Sequence, residues 1–179
     1  MNRSTPSSRS DETYQEAAAA YGAALSRIAR AYEAEPEKRR DLLQEIHISL
    51  WKSLDGFKGS CSLRTWVFRI AHNVAASHVL RERRRNRVRM VSIEELDDAW
   101  DAPDSLQKVA EDQALVRLTD LIRQLVPVDR QVILSYLEDM DAGAISELTG
   151  LSAPNVATKV HRIKEVLRKR FAARDSDER

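Results

Sequence analysis

The 179 residues hold 42% hydrophobic and 32% charged side chains with only 5 glycines and 5 prolines. That composition excludes a disordered chain, argues against a turn-rich all-β protein, and allows one good core or two small ones. The lone Cys61 excludes an internal disulfide framework and a multi-cysteine zinc site and suits a reducing cytoplasm, while the formal net charge of +1 hides a strong segregation of sign along the chain.

Residues 1–12 read as a disordered tail, polar and without the apolar centre of a signal peptide, so export is not expected. Ala, Leu and Ile then recur at helical spacing from Thr13 to Glu33, and Pro36 resets the pattern. A second helix is expected from Pro36 to about Leu54, with Leu43, Ile46, Leu50 and Leu54 on its apolar stripe. Asp55-Gly56 breaks it, the loop Phe57-Lys58-Gly59-Ser60-Cys61 follows, and Ser62 can cap a third helix. That helix carries Leu63, Trp66, Val67, Ile70, Val74 and His78 along one face and runs into an arginine-rich stretch over 81–89.

Residues 90–111 lose the periodicity, turn acidic and contain Pro103, which reads as a flexible linker. From Asp112 the spacing of Leu115, Leu118, Ile122 and Leu125 predicts another helix, stopped at Pro127. Asp129 can cap a helix with Val132, Ile133, Tyr136 and Leu137, and Asp141 a short one with Ile145 and Leu148. Gly150 suits a left-handed C-cap, and Ser152 opens a last helix whose Val156, Val160, Ile163, Leu167 and Phe171 face inward. No strand pattern, internal repeat or bilayer-length apolar run occurs, so the expected fold is all-α, two small helical domains (13–89 and 112–174) joined by an acidic flexible linker, with no membrane insertion.

Charge sharpens this division. Eight basic residues stand against Glu82 alone over 64–89, eight acids against Lys108 over 94–112, and seven basic residues against Glu165 over 155–174. Two basic blocks around an acidic spacer suit two polyanion-binding modules on a tether, or else solvated helix faces. The C-terminal helix, turn at Gly150 and basic amphipathic helix describe a helix-turn-helix, which lays its second helix in the major groove. Its early outward residues are Pro154, Asn155, Thr158, Lys159, His161 and Arg162, and Asn and Arg offer bidentate pairing with adenine and guanine. Arg168, Lys169 and Arg170 lie farther along and suit phosphate attraction. In the first domain, Phe57 and Trp66 flank a loop beside Arg64, Arg69, His72 and Asn73, a combination that suits unstacked bases. Trp66 also fits the core stripe, where packing explains it as well. On the second helix Ile48 lies on an otherwise polar face with Asp41, Gln44, Glu45 and Lys52, as at a protein-binding surface.

Taken together, Asp41-Leu42-Leu43-Gln44-Glu45, Leu50-Trp51, Leu54 to Gly59 and Ser62 to Asn73 resemble the second region of extracytoplasmic-function sigma factors. Leu125 to Arg130 and the helix-turn-helix through Leu167 resemble the fourth region of the same family, and the two stretches stand in the family's order. The resemblance implies a region 2 bundle and a region 4 helix-turn-helix bundle, with core RNA polymerase, promoter DNA and an anti-sigma protein as partners and no cofactor. By the same resemblance, Asp41, Gln44, Glu45, Ile48 and Trp51 would bind the polymerase clamp helices. Phe57, the loop Lys58, Gly59, Ser60, Cys61 and Ser62, and Asn73 would open and read the minus-ten element, while Arg64, Arg69, Arg81 and Arg84 would hold strand backbone. Pro154, Asn155, Thr158, Lys159, His161 and Arg162 would read the minus-thirty-five element. The reading helix departs from the family's usual Gly-Thr-Val and basic residue, since it begins Pro154-Asn155-Val156-Ala157. An altered minus-thirty-five preference follows from that change.

Enzymatic readings find little purchase. No phosphate-cradling Gly-rich loop, zinc-protease motif or cysteine pair occurs, and the four histidines, 47, 72, 78 and 161, are scattered, so no metal site is expected. His47 and His78 are expected to pack or hydrogen-bond within the first domain. Two other functions remain open at this point: a dimeric regulator that binds an operator without polymerase, and a protein-interaction adaptor. The sigma reading also implies a cytoplasmic protein that catalyses nothing.

Overall fold

A computed structural model describes residues 6–86 and 111–176. The acidic linker over 90–111 therefore lies almost wholly outside the described residues. Among the described residues seven α-helices form: α1 (Pro6–Tyr32), α2 (Pro36–Ser53), α3 (Leu63–Asn86), α4 (Glu111–Gln124), α5 (Pro127–Leu137), α6 (Ala142–Thr149) and α7 (Ala153–Ser176). The chain divides into two compact units, Met1–Arg87 and Val88–Arg179, with α1 to α3 in the first and α4 to α7 in the second.

In the first unit each helix packs against the other two. Alanines let the backbones approach closely: Ala17, Ala24 and Ala29 of α1 and Ala71 and Ala75 of α3 are buried, with Leu25, Ile28, Phe68 and Val67 filling the space between them. Pro36 at the first turn of α2 needs no hydrogen-bond partner for a missing N–H, so the chain restarts a helix there rather than continuing α1. Three expectations change. First, α1 begins at Pro6, so residues 6–12 are helical where a disordered tail is expected. Ser10 and Asp11 are fastened to the second helix and the turn after it, bonds that local composition does not reveal.

Second, the buried stripe of α2 is Leu42, Ile46, Leu50 and the following Leu54, with Leu43 only half-buried. Third, the core face of α3 is Val67, Phe68, Ala71, His72, Ala75 and Val79, while Leu63, Trp66, Ile70, Val74 and His78 are half-buried. Because α1 and α2 both lie on α3, its buried arc is wide. The spacing of large apolar residues follows the edge of that arc and misses the alanines and the histidine at its centre. His72 is wholly buried and hydrogen-bonded to the Tyr32 hydroxyl at 3.1 Å, so it is core rather than basic surface. His47 bonds the Tyr14 hydroxyl at 3.0 Å and His78 bonds Glu33 at 2.9 Å, the packing roles expected of them.

The second unit wraps α5, α6 and α7 around Val132, Ile133, Ile145, Val156 and Ile163. Of the α4 stripe, Ile122 and the following Leu125 are buried, whereas Leu115 is 62% exposed. On α5, Tyr136 and Leu137 are likewise exposed, and Leu134 takes a core place instead. Val126, not Asp129, precedes the first turn of α5, and Pro127 occupies the first helical position where its missing N–H is harmless. Asp129 and Arg130 are both buried one turn in.

Asp141 does cap α6, its carboxylate accepting the Ala144 N–H at 2.8 Å, and Gly150 closes the helix at φ 77°. With only eight residues, α6 has little intrinsic stability, so the cap matters. Asp141→Ala is expected to destabilise this unit by about 1 kcal/mol, read as a lower midpoint in chemical unfolding followed by circular dichroism.

Candidate nucleic-acid interface

Two surfaces gather the residues of interest, one on each unit. On the first, the chain leaves α2 through a single 3₁₀ turn, Leu54–Gly56, whose Leu54 is buried and accepts the Phe57 N–H at 3.0 Å. Phe57 then lies half-buried against Trp66, ring centroids 5.4 Å apart and tilted by 52°. The Trp66 indole N–H donates to the Ser53 hydroxyl at 3.0 Å, so this tryptophan braces the loop from behind. At the far end Ser62 caps α3, its hydroxyl accepting the Thr65 N–H at 3.0 Å. Gly59 sits at φ 74°, which a side chain rarely adopts, and so lets the tip turn between these anchors. Lys58, Gly59, Ser60 and Ser62 are exposed, and Cys61 is partly so.

Along α3 the structure spreads the remaining candidates. Asn73 is exposed and Arg69 half-buried, while Arg64 lies over the Phe68 ring at 5.7 Å. Arg84 is exposed, and Arg81 forms a two-pronged ion pair with Glu45 of α2 at 2.9 and 3.0 Å. That pair joins a residue expected to hold DNA to one expected to bind polymerase. Asp41, Gln44, Ile48 and Trp51 share the outward face of α2, with Ile48 45% and Trp51 46% exposed. The Trp51 indole donates to Asp11 of α1 at 2.8 Å.

In the second unit the turn between α6 and α7 is bound tightly. Gly150 N–H donates to the Ser146 carbonyl at 2.9 Å, and the Ser146 hydroxyl donates to the Leu151 carbonyl at 2.6 Å. With Val156, Val160 and Ile163 buried beneath, α7 presents Pro154, Asn155, Thr158, His161 and Arg162 outward. Thr158 spends its proton on the Pro154 carbonyl at 3.0 Å, leaving its lone pairs outward as acceptors. Lys159 behaves differently. Its ammonium reaches back to the fully buried carboxylate of Asp129 at 2.7 Å, so it ties the reading helix to α5 instead of standing out with the other five. Farther along, Lys164 lies over the Tyr136 ring and bonds its hydroxyl, Arg168 pairs with Glu165, and Lys169 is exposed. The side chains of Arg170 and Phe171 lie outside the described residues.

Sequence reasoning overlooked the start of α1. Ser10, Thr13 and Glu16 line an open cleft with Phe57, Lys58 and Gly59 of the loop. Spacing by three on the face beside buried Ala17 is the one signal that could have grouped them. Among the described residues no cluster of His, Cys, Asp or Glu could hold a metal ion, and no helix is long and apolar enough to cross a membrane.

Comparison with known proteins agrees with this arrangement. The sigma-70 region 2 family model matches residues 17–85, and the sigma-70 region 4 family model matches residues 115–167. The ECF RNA polymerase sigma-E factors of Escherichia coli (strain K12) and of Salmonella typhimurium (strain LT2) are each 30% identical over 118 residues. That match covers 65% of this chain but only 59% of the length of those relatives. The RNA polymerase sigma factor NccH of Alcaligenes xylosoxydans xylosoxydans is 26% identical over 151 residues, covering 82% of this chain and 80% of NccH. In fold the chain resembles CnrH, solved in complex with the cytosolic domain of CnrY, with a TM-score of 0.66 at 21% identity over 94% of this chain and 96% of that one. Two region models in series on two helical units, together with these relatives, make the chain a member of the extracytoplasmic-function sigma factor family.

Proposed function

We propose that this chain is an alternative sigma factor, which binds core RNA polymerase and directs it to particular promoters without catalysing a reaction of its own. The observation that carries the reading is the pairing, on one chain, of an anchored loop backed by Phe57 and Trp66 with a separate helix-turn-helix whose outward face holds Asn155 and Arg162. A duplex reader that acts alone has no use for the first of these. An aromatic-backed loop suits bases that have left the stack, and a helix N-terminus in the major groove suits bases that have not.

In this reading, residues 13–89 carry the polymerase face of α2 and the minus-ten surface, 112–174 carry the minus-thirty-five surface, and the acidic segment 90–111 tethers them. The region 4 unit grips the upstream duplex while the region 2 unit traps an unstacked base and so nucleates melting. Unpairing costs a few kcal/mol, which capture in a pocket offsets. Lys159 acts through Asp129 to orient the reading helix, and base contact falls to Asn155 and Arg162. The complex of CnrH with the cytosolic domain of CnrY supports a protein regulator, of the anti-sigma kind, as a further partner. A cytoplasmic location follows from the proposed partnership with polymerase.

The test is transcription in vitro from a random promoter library with core polymerase, with and without the protein. Transcripts sharing two spaced upstream elements are expected only when it is present. Arg162→Ala should lower use of the preferred minus-thirty-five element by roughly 5- to 150-fold, the equivalent of about 1–3 kcal/mol for one bidentate contact, and Asn73→Ala should do the same at the minus-ten element. No new transcripts, with the free protein binding a palindromic duplex as a dimer, would replace the reading by a conventional regulator. Neither transcripts nor DNA binding would leave an adaptor.

A further inference from the structure

The cleft between α1 and the loop lies wholly within the first unit. Its inner side is the loop, lined by Phe57, Lys58 and Gly59. Its outer side is the first turns of α1, with Ser10, Thr13 and Glu16. This outer side is held in place at two points. The Ser10 hydroxyl donates to Asp55 at 2.6 Å, directly beside the loop, and Asp11 accepts the Trp51 indole N–H at 2.8 Å. The cleft measures about 660 Å³, within the size range of small-molecule sites and ample for one nucleobase.

The charges of the two sides are complementary in kind. Asp55 is occupied by Ser10, whereas among the described residues Glu16 and Lys58 are each without a hydrogen-bond or ion-pair partner. An ionised carboxylate only accepts hydrogen bonds and an ammonium only donates them. Cytosine, adenine and guanine each carry an exocyclic amino group that a carboxylate can accept from, beside a ring acceptor or carbonyl that an ammonium can reach. Thymine has no amino group, and its one ring donor, the N3–H, lies between two carbonyls that repel a carboxylate, so it is the poorest fit of the four.

We propose that the first turns of α1 form the outer wall of the base-capture site, and that Glu16 selects there for a base bearing an exocyclic amino group and against thymine. Phe57 supplies the stacking surface and is indifferent to base identity, because every base has a π-face. Selectivity therefore comes from the wall and capture from the loop. The inference rests on the sigma reading, and it assigns a specificity role to a segment that makes no part of the two recognition motifs.

The experiment is open-complex formation by the full chain with core polymerase on a promoter library randomised through the minus-ten element, comparing wild type with Glu16→Gln and Phe57→Ala. Glu16 is exposed and partnerless, so its variant keeps the fold. The expected result is that Glu16→Gln admits thymine at one position roughly 10-fold more often and leaves the other positions unchanged, because a carboxamide can also donate. Phe57→Ala should lower opening on all sequences alike. Unchanged preferences with Glu16→Gln, alongside a loss of opening with Phe57→Ala, would overturn the role of the α1 wall and leave base capture standing. If Phe57→Ala also had no effect, base capture by this loop would fail, and the selective wall with it.

Discussion

Arg130→Met is expected to unfold the second helical unit while the first stays folded. Arg130 is 1% exposed, and its guanidinium donates to the carbonyls of Arg123 and of Leu125, the latter at 2.9 Å. These carbonyls end α4 and lead into α5, where a helix terminus leaves acceptors that nothing within the helix can satisfy. The guanidinium fills that need from inside the core. A methionine of similar length keeps most of the volume but donates no hydrogen bond, and each buried carbonyl left unpaired costs about 1–3 kcal/mol. A total of about 2–6 kcal/mol is comparable with the whole stability of a domain this small. Circular dichroism should lose the helical signal of one unit, while the fluorescence of Trp51 and Trp66, both in the first unit, keeps its native unfolding transition. A variant that retained the full helical signal and a native midpoint would show that the α4–α5 junction needs no internal donor.

The first unit should in turn lose stability steeply as pH falls below about 6.5. Burial pushes the His72 imidazole down from 6.5 to about 3, so the folded protein refuses a proton that the unfolded chain accepts. Over the window between those two values the unfolded state binds more protons, and stability falls as pH falls. Linkage sets the slope at about 1.4 kcal/mol per pH unit, or about 2 kcal/mol lost by pH 5. Burial lowers His47 in the same sense. At Glu33 burial acts upward, but the hydrogen bonds from His78 and the Glu35 N–H and the nearby positive charges prevail, leaving it below the ordinary carboxylate value. Its contribution is therefore lost at still lower pH. Chemical unfolding of the full chain at pH 7.5 and pH 5, followed by tryptophan fluorescence, measures the slope. His72→Gln should flatten it by about one proton while the second unit's transition stays put. An equal slope in the variant would place the acid sensitivity elsewhere.

What could be read from the sequence, and what could not, divides along a physical line. Most caps and turns were legible because their chemistry is local: Asp141, Gly150, Ser62 and the break after Leu54 each act within three or four residues of themselves, whereas Asp129, expected as a cap, is drawn one turn into α5 by its distant partner Lys159. The apolar stripes were legible to within one position, and they failed at α3 because a helix covered from two sides buries alanine and histidine as readily as leucine. The candidate site was legible as a set of outward residues on α2, the loop and α7. Two of its charged members have partners that only folding supplies. Lys159 finds Asp129 thirty residues away and Arg81 finds Glu45, while Arg130, outside the site, turns inward altogether. Long basic side chains read as surface because most are, and no periodicity distinguishes the one that is buried. The wall formed by Ser10, Thr13 and Glu16 was missed for a related reason, since a polar segment betrays its place only through what it touches.

The ion pair between Arg81 and Glu45 makes the two faces of the first unit thermodynamically reciprocal. On the proposed reading, polymerase takes up the α2 face that holds Glu45, and the DNA strand takes up the α3 arginines. Whatever engages Glu45 frees the guanidinium from its carboxylate, and whatever draws Arg81 away frees the carboxylate in return. Linkage requires each partner to help the other by the same factor. Because the pair is about half exposed, with its side chains 53% and 44% accessible, that factor is small: an exposed pair contributes at most about 1 kcal/mol, or roughly fivefold. Enzyme and promoter would thus assist each other's binding as a gentle bias, one that rising salt erodes, and never as an obligatory order of assembly.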